Sequence, residues 1–368
     1  MKYLIYDLFS GVGFCNQLFS LETAIYLANI TKRKLILLIK NPLCHCGRAS
    51  WDYGNFLDLF SNDYREYLPE GIETFYKIIP DKYKKIITDE EICYTLKTKS
   101  GFSNTVFIDT QLENNIDDIN NFCSGREKHY IDFENISKDY IYVNTSNASR
   151  CFYNFYTTEE RYILMSNMCY SLTNLNPSIT SKYTKLNFDL SIHLRLGDYH
   201  ISKDKIDSKA EGFMKFIDAH LKNNSNVKKI LVMSDRQDSK IIDILKKKYR
   251  VDFTQELIET TKNPIVSFLL EKYLCCNCKY FIGTVGSTVS NYINYIYYLN
   301  DKPHSLYTTT NILANINNNN YSWKLNNKRG HPISWSIFWE DNIYRSKMLT
   351  CARQFTSNKT SYITPFNI

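Results

Sequence analysis

No stretch of this sequence is long and apolar enough to cross a membrane. The most apolar run, residues 35–39, is far shorter than the roughly twenty residues that a spanning helix needs. The first residues, MKYLIYDLF, also lack the run of about seven or more apolar residues that marks a signal peptide. We therefore expect a cytoplasmic protein without a membrane span in this chain, and an anchor outside it stays open.

The cysteine spacing of a zinc site is also missing. The chain has 11 cysteines, an odd number, and without a signal peptide the expected compartment is reducing. The densest groups, Cys44-x-Cys46 and C-C-x-C at residues 275–278, contain no paired C-x-x-C halves. Because the second group lies in an apolar-rich segment before a predicted strand, we interpret its thiols as core residues, with a metal site as the alternative.

Charge is not concentrated in any one part of the chain. The net charge of +7 is modest for 368 residues, and there is no arginine-rich run or nucleic-acid motif. We therefore interpret the basic excess as solvated surface that would slightly favour an anionic ligand, and we predict no nucleic-acid partner. A composition of 43% hydrophobic and 23% charged residues is typical of globular proteins, and this length allows two domains.

The first forty residues follow the pattern strand, loop, helix, strand. Residues 3–9 and 34–39 are apolar runs, and residues 17–29 carry apolar side chains at helical spacing. Such a unit closes right-handed onto a parallel sheet. The loop sequence G-x-G-x-x-N differs from a dinucleotide fingerprint because Asn16 replaces the third glycine and no acidic residue ends the second strand, so we exclude a nicotinamide cofactor.

Strand and helix patterns alternate again from residue 188 onward. This alternation predicts a second doubly wound sheet. Its predicted helices are residues 210–222, 239–248, 264–274 and 288–298, and its later strands are residues 229–234, a short one near 251, and 280–283. We therefore predict an α/β protein with two Rossmann-like domains, residues 1–185 and 186–302, followed by an extension, residues 303–368, that packs back on them.

Residues 188–199, FDLSIHLRLGDY, are the most informative segment. Apolar and polar residues alternate as in a strand, and the Gly197–Asp198 pair then indicates a turn. The segment would deliver His193, Arg195 and Asp198 to the C-terminal end of a strand, where open α/β sheets bind ligands. A guanidinium is suited to phosphate, although an ion pair that merely ties down the turn is the alternative.

Three other segments also end a predicted strand with polar residues. The strand at residues 230–234 runs into Ser234 and Asp235, and the one that begins near 280 runs through two glycines into Ser287 and Thr288 at the start of a helix. A helix N-terminus with small hydroxyls can hold phosphate, and an ordinary N-cap is the alternative. The third segment is the loop at residues 11–16 of the first domain.

These segments together resemble the fucosyltransferase superfamily that includes the protein O-fucosyltransferases and the α-1,2- and α-1,6-fucosyltransferases. His193-Leu-Arg195-Leu-Gly-Asp198 resembles its H-x-R-x-x-D motif, and GFCNQ at residues 13–17 is similar to its N-terminal G-x-G-N-Q loop. Residues 281–290 are similar to its third motif, in which a T-x-S-S/T segment meets the β-phosphate of the nucleotide.

The resemblance implies a fold and a reaction. It implies two Rossmann-like domains facing each other across a cleft (GT-B), GDP-fucose as donor substrate, a glycan or glycoprotein acceptor, inversion at the anomeric carbon, and neither a cofactor nor a metal. The sequence has no Asp-x-Asp motif of the kind that holds a divalent cation on a sugar nucleotide. It departs from the pattern at Leu196, where many members carry a second arginine, and at Cys15, which replaces a glycine.

The resemblance also suggests roles for individual residues. Arg195 would stabilise the departing diphosphate. Asn16 or Glu211 would take up the proton of the acceptor hydroxyl, and Asp204 and Asp207 are alternatives to Glu211. Glu271 matches the guanine-binding carboxylate, with a solvated helix glutamate as the alternative. The predicted substrate-binding residues are Gly13, Asn16, His193, Arg195, Asp198, Ser234, Asp235, Glu271, Ser287 and Thr288.

Two other functions stay open from the sequence. The first is transfer of another sugar from its nucleotide carrier, because the sugar subsite has no readable pattern. The second is a non-catalytic protein that binds a glycan or nucleotide on the same scaffold, because no single proton acceptor can be assigned.

Overall fold

The structure is a computed structural model. It describes residues 1–8, 13–39, 43–45, 48–51, 56–98, 107–108, 135–144, 164, 167–168, 171–196, 210–259, 263–284, 287–299, 302 and 304–307. This part of the chain forms two compact units, one ending at Asn174 and the other beginning at Leu175. None of the helices in the described ranges combines the length and the apolar character that a membrane crossing requires.

The first unit is built on a six-stranded sheet with β1 (Tyr3–Asp7) near its centre. β1 pairs in parallel with β2 (Lys34–Ile39) on one side and with β8 (Tyr140–Asn144) on the other. The connection between β1 and β2 is helix α1 (Phe14–Ile30), and most of its described apolar side chains are buried. The expected strand-helix-strand unit on a parallel sheet is therefore confirmed.

The other elements of the first unit complete the sheet or cover it. Strands β5 and β6 add to the sheet in parallel, β7 is an antiparallel edge, and β3 and β4 form a separate antiparallel pair. Their bounds are β3 (Leu43–His45), β4 (Arg48–Trp51), β5 (Ile72–Tyr76), β6 (Cys93–Thr98), β7 (Phe107–Ile108), helix α2 (Asp81–Ile86) and two short 3-10 helices, Phe56–Leu59 and Asn62–Tyr67.

The second unit contains a five-stranded sheet in which every neighbouring pair is parallel. Its order is β11-β10-β9-β12-β13. The strands are β9 (Leu190–Leu194), β10 (Ile230–Ser234), β11 (Val251–Phe253), β12 (Tyr280–Thr284) and β13 (His304–Tyr307). The chain first adds strands on one side of β9 and then returns to add β12 and β13 on the other, so β9 and β12 flank the point where the strand order reverses.

Helices occupy the connections between these strands, and one short helix, α3 (Pro177–Thr180), precedes β9. The connecting helices are α4 (Ala210–Asn223), α5 (Lys240–Lys248), α6 (Thr254–Leu257), α7 (Pro264–Cys276) and α8 (Thr288–Leu299). The core joins the apolar face of β9 to α4 and α5, for example through Ile192, Phe213 and Ile242. Caps define the helix starts: the Ser239 side chain accepts the N–H of Ile242, and the Asn263 side chain accepts that of Ile265.

The predicted α/β class with two parallel sheets is confirmed, and the differences are local. Helix α1 begins at Phe14 because Phe14 and Cys15 are themselves buried, so Asn16 lies in its first turn and not in a loop, as the sequence had suggested. Residues 175–185, which were grouped with the first domain, fall in the second unit, where α3 packs on α7. Strand β13 lies within the predicted extension.

Candidate active site

The end of β9 is tied to the end of β10 by a carboxylate. The two strands pair up to Leu194 and Ser234, so Arg195 and Asp235 come next to each other. An Nη1 atom of Arg195 lies 3.2 Å from Oδ2 of Asp235, and the two side chains are only 16% and 23% exposed. The backbone N–H of Leu196 donates to the other carboxylate oxygen at 2.8 Å. Asp235 therefore orients both the guanidinium and the backbone that follows it.

On its other side, the end of β9 is held by a side chain of β12. The backbone ladder between β9 and β12 stops at Ile192 and Ile282, two residues earlier than the ladder with β10. Beyond that point Thr284 Oγ1 donates to the carbonyl oxygen of His193 at 2.9 Å and accepts the N–H of Arg195 at 3.2 Å. A threonine side chain thus replaces backbone hydrogen bonds where the two strands separate, which is the crevice that binds ligands in doubly wound sheets.

His193 lies in this crevice and is bonded to helix α8. Its Nδ1 atom is 2.5 Å from Oγ of Ser290, which also accepts the backbone N–H of Thr284 at 2.8 Å. The side chain is 2% exposed, and burial lowers the pKa of His193 to about 4, while nearby Asp235 raises it and Arg195 lowers it. At neutral pH the ring is therefore uncharged, and Arg195 is the cation at the end of β9.

The N-terminus of α8 begins with the predicted hydroxyl residues. The Ser287 side chain is buried and accepts the N–H of Ser290 at 3.5 Å, which is the geometry of an N-cap. Ser287 is therefore an N-cap, which was the alternative to a phosphate contact. An accepting hydroxyl still has a proton to donate, and helix N-termini attract anions, so the cap and a phosphate contact are compatible.

Glu271 is on α7 and is not a solvated helix glutamate. It is half-buried and accepts a hydrogen bond from the Thr254 hydroxyl at 2.7 Å. Burial raises the pKa of Glu271, and the bond from Thr254 acts against that rise. The neighbouring Gln255 donates to the carbonyl oxygen of Ser234 at 2.9 Å. The short helix α6 thus links the Glu271 carboxylate to the end of β10.

The Ser234 hydroxyl shapes a turn. It donates to the carbonyl oxygen of Arg236 at 2.8 Å and accepts the N–H of the same residue at 3.2 Å. The Arg236 guanidinium pairs with Asp238, 2.6 Å from Nε to Oδ1. The Ser234 hydroxyl therefore both donates to and accepts from the backbone of Arg236. These two bonds fix the turn that carries Asp235 at the end of the strand.

The remaining predicted residues are not all described. Gly13 is the N-cap of α1 with a φ of −57°, a value open to any residue, so a close approach of backbone to ligand does not follow from its conformation. Asn16, Glu211 and Thr288 lie in helices α1, α4 and α8, but their side chains are outside the described part of the structure, as are residues 198, 204 and 207.

Sequence patterns missed the roles of Thr284 and Ser290. Both lie inside the glycine-containing segment that was singled out, but their contacts with β9 depend on tertiary structure. A usable signal is that a strand ends in threonine and a second hydroxyl follows six residues later, in the first turn of α8.

The cysteines of α7 belong to the core, as expected. Cys275 and Cys278 are buried, and burial raises the pKa of Cys278 to about 12 and that of half-buried Cys276 to about 11. The Tyr297 hydroxyl bonds the carbonyl oxygens of Cys275 and Cys278, at 2.7 and 3.0 Å, and the Lys302 ammonium bonds that of Cys276 at 3.1 Å. These contacts satisfy carbonyls at the end of the helix.

Comparison with known proteins found similar solved structures only. No protein-family model and no curated protein matches the chain. Several solved structures that resemble it are fucosyltransferases. POFUT1 in complex with GDP-fucose is 14% identical, with 84% of this chain and 98% of that chain covered and a TM-score of 0.48.

Two other fucosyltransferases resemble the chain to a similar degree. NodZ α-1,6-fucosyltransferase soaked with GDP-fucose is 14% identical, with 80% and 92% of the two chains covered and a TM-score of 0.41. A variant of Arabidopsis thaliana FUT1 in complex with GDP is 12% identical, with 83% and 70% covered and a TM-score of 0.47. At such identities and TM-scores the likeness carries no argument, and the function must be argued from the residues of this chain.

Proposed function

We propose that this chain is an inverting glycosyltransferase that uses GDP-fucose and needs no metal. The observation that carries the proposal is the position of Arg195 at the point where the strand order reverses. Its guanidinium is held by Asp235, its backbone is held by Thr284, and Thr284 leads through a short segment to the N-terminus of α8. Arg195 is thus an oriented, mostly buried cation on β9, and the neighbouring strand β12 leads to a helix end that favours anions.

Such an arrangement suits the departure of a nucleoside diphosphate. Transfer of a sugar breaks the bond between its anomeric carbon and the β-phosphate oxygen, and negative charge grows on the diphosphate. A guanidinium can meet two phosphate oxygens at once, and it stabilises the developing charge best where water is scarce. Because the sequence has no Asp-x-Asp motif, we assign stabilisation of the diphosphate charge to Arg195, Ser287 and the N-terminus of α8.

Guanine recognition is assigned to Glu271. A carboxylate can accept both N1–H and N2–H of guanine, which uracil does not offer. Its bond with Thr254 holds the carboxylate, and the link through Gln255 to Ser234 places this group in the same framework as Asp235. His193 adds a neutral ring to the crevice. Removal of the proton from the acceptor hydroxyl is assigned to Asn16 or Glu211, on the resemblance alone.

Titration calorimetry with GDP, UDP and GDP-fucose, with and without EDTA, tests this proposal. We expect GDP to bind in EDTA, UDP to bind more weakly, and GDP-fucose to be slowly hydrolysed in the absence of acceptor. A preference for UDP would exclude the guanine assignment to Glu271. Binding that requires a divalent cation would exclude the metal-independent reaction.

An acceptor screen separates the enzyme from its rivals. GDP-fucose turnover with an oligosaccharide or a folded protein domain supports fucosyl transfer. Turnover with another GDP-sugar and none with GDP-fucose would replace the donor and keep the chemistry. GDP binding with no donor turnover under any acceptor would indicate a binding protein on this scaffold.

A further inference from the structure

The bond between His193 and Ser290 determines where the imidazole carries its proton. Of the residues that the structure describes, two make hydrogen bonds with the Ser290 hydroxyl: the N–H of Thr284 donates to it, and Nδ1 of His193 lies 2.5 Å away. A hydroxyl has one proton to donate. If Nδ1 also carried a proton, the hydroxyl would face two donors, and its own proton would find no acceptor among the described residues.

That arrangement is costly because both side chains are enclosed. Ser290 is 0% exposed and His193 is 2% exposed. Leaving a buried donor unsatisfied shifts an equilibrium by roughly 5- to 150-fold. With Nδ1 as acceptor, by contrast, the Ser290 proton has a partner, and the N–H at Nε2 stays available for a ligand.

We infer that Ser290 fixes His193 as the tautomer protonated at Nε2, so that the ring presents a neutral N–H donor to an acceptor oxygen of the bound nucleotide. Because Ser290 occupies Nδ1, Nε2 is the nitrogen left for a ligand. Ser290 is thus a positioning residue, which acts through His193. The two residues would therefore act differently on the ligand. Arg195 supplies the positive charge, and His193 supplies an oriented hydrogen bond from an uncharged ring. The use of this donor by a nucleotide rests on the proposed function, whereas the tautomer does not.

Nitrogen NMR of protein labelled with 15N-histidine tests the inference directly. The signal of His193, one of seven histidines, is identified by its loss in His193→Gln. We expect the wild type to show an unprotonated Nδ1 and a protonated Nε2, with the Nε2 signal moving when GDP is added. A proton on Nδ1 in the wild type would overturn the inference.

Variants of Ser290 separate this role from simple packing. Ser290→Ala should give a mixture of tautomers and bind GDP roughly 5-fold more weakly, and Ser290→Thr, which keeps the hydroxyl, should restore both. An unchanged tautomer in Ser290→Ala would refute the role. Ser239→Ala is the matched control, since it removes another buried capping hydroxyl and should lower stability without changing either readout.

Substitutions of the ring itself give a second test. The amide nitrogen of glutamine can reach the place of Nε2, and that of asparagine the place of Nδ1. We therefore expect His193→Gln to retain more GDP affinity than His193→Asn, and the reverse order would contradict the inference. If the wild type shows the expected tautomer but binds no nucleotide, the proposed function fails while the role of Ser290 stands.

Discussion

Replacing Arg195 is the most direct test of the proposed phosphate site. Its guanidinium is 16% exposed and lies 3.2 Å from Asp235, so it is already oriented and largely desolvated before a ligand arrives. A hydrogen bond to a charged group contributes about 1.5–3 kcal/mol, so Arg195→Ala should weaken GDP binding roughly 10- to 150-fold. Removing a donor that stabilises a developing anion costs about 3–4 kcal/mol in the barrier, so hydrolysis of GDP-fucose should fall roughly 100- to 1000-fold.

The loss should not come from unfolding. Without Arg195 the carboxylate of Asp235 keeps the N–H of Leu196, and it is 23% exposed to water. We therefore expect a stability cost of only about 1–2 kcal/mol, because the remaining charge is neither unbonded nor dry. Arg195→Lys keeps the charge and loses the planar fork, so it should recover less than half of the lost free energy of activation.

The assay is calorimetric GDP binding together with the rate of GDP-fucose hydrolysis, with thermal unfolding as the check on folding. Arg236→Ala is the matched control, because this arginine is in the same region but pairs with Asp238. It should change both quantities by less than about twofold. Equal losses in Arg195→Ala and Arg236→Ala would refute the argument, since they would show that general positive charge and not an oriented guanidinium binds the diphosphate.

Three further predictions concern the groups around this site and the core behind it. Asp235→Asn keeps an acceptor for the backbone but removes the partner of Arg195, so turnover should fall about tenfold while GDP affinity stays equal or improves; a parallel loss of affinity would mean that Asp235 binds the nucleotide itself. Glu271→Gln should weaken GDP binding about tenfold and leave weak UDP binding unchanged, and equal effects on the two nucleotides would contradict guanine recognition. His220 is buried, and burial lowers its pKa to about 4, as for His193. The unfolded histidines bind protons below pH 6.5, whereas the folded ones do so only near pH 4. The contribution of each neutral ring to the free energy of unfolding is therefore fully present above pH 6.5. Below that pH it falls by about 1.4 kcal/mol per pH unit for each ring, down to about pH 4. His220→Phe should therefore be less acid-sensitive in thermal melts between pH 7 and 5, with GDP binding unchanged at pH 7; identical pH dependence would contradict this assignment.

The parts of the site that lie on one strand could be predicted from the sequence. The alternation around Ile192 and the apolar run of β10 placed His193, Arg195 and Asp235 at strand ends. Their order along each strand is local information, since side-chain direction follows the period of two. The same reasoning located Ser287 at the start of a helix.

The contacts between strands could not be predicted, because they depend on register and on where a ladder ends. The pairing of Leu194 with Ser234 brings Arg195 to Asp235, and nothing in either segment specifies it. Ser290 is 97 residues from His193, and the bond between them exists because β9 and β12 become neighbours after two other strands have been added. The start of α1 was predicted at residue 17 because glycines and polar residues precede it. The helix begins at Phe14, whose side chain is buried.

The single arginine of this site has a structural reason. Leu196 departs from the motif that the sequence resembles, in which a second arginine was expected, and its side chain is 5% exposed within the core that includes Phe213 and Met214 of α4. A guanidinium there would have to leave that core or be buried without a partner. The chain therefore commits position 196 to packing, and in the proposed function Arg195 alone meets the charge of the diphosphate. This places a greater demand on orientation, which explains why Asp235 and Thr284 hold one guanidinium and its backbone from two different strands.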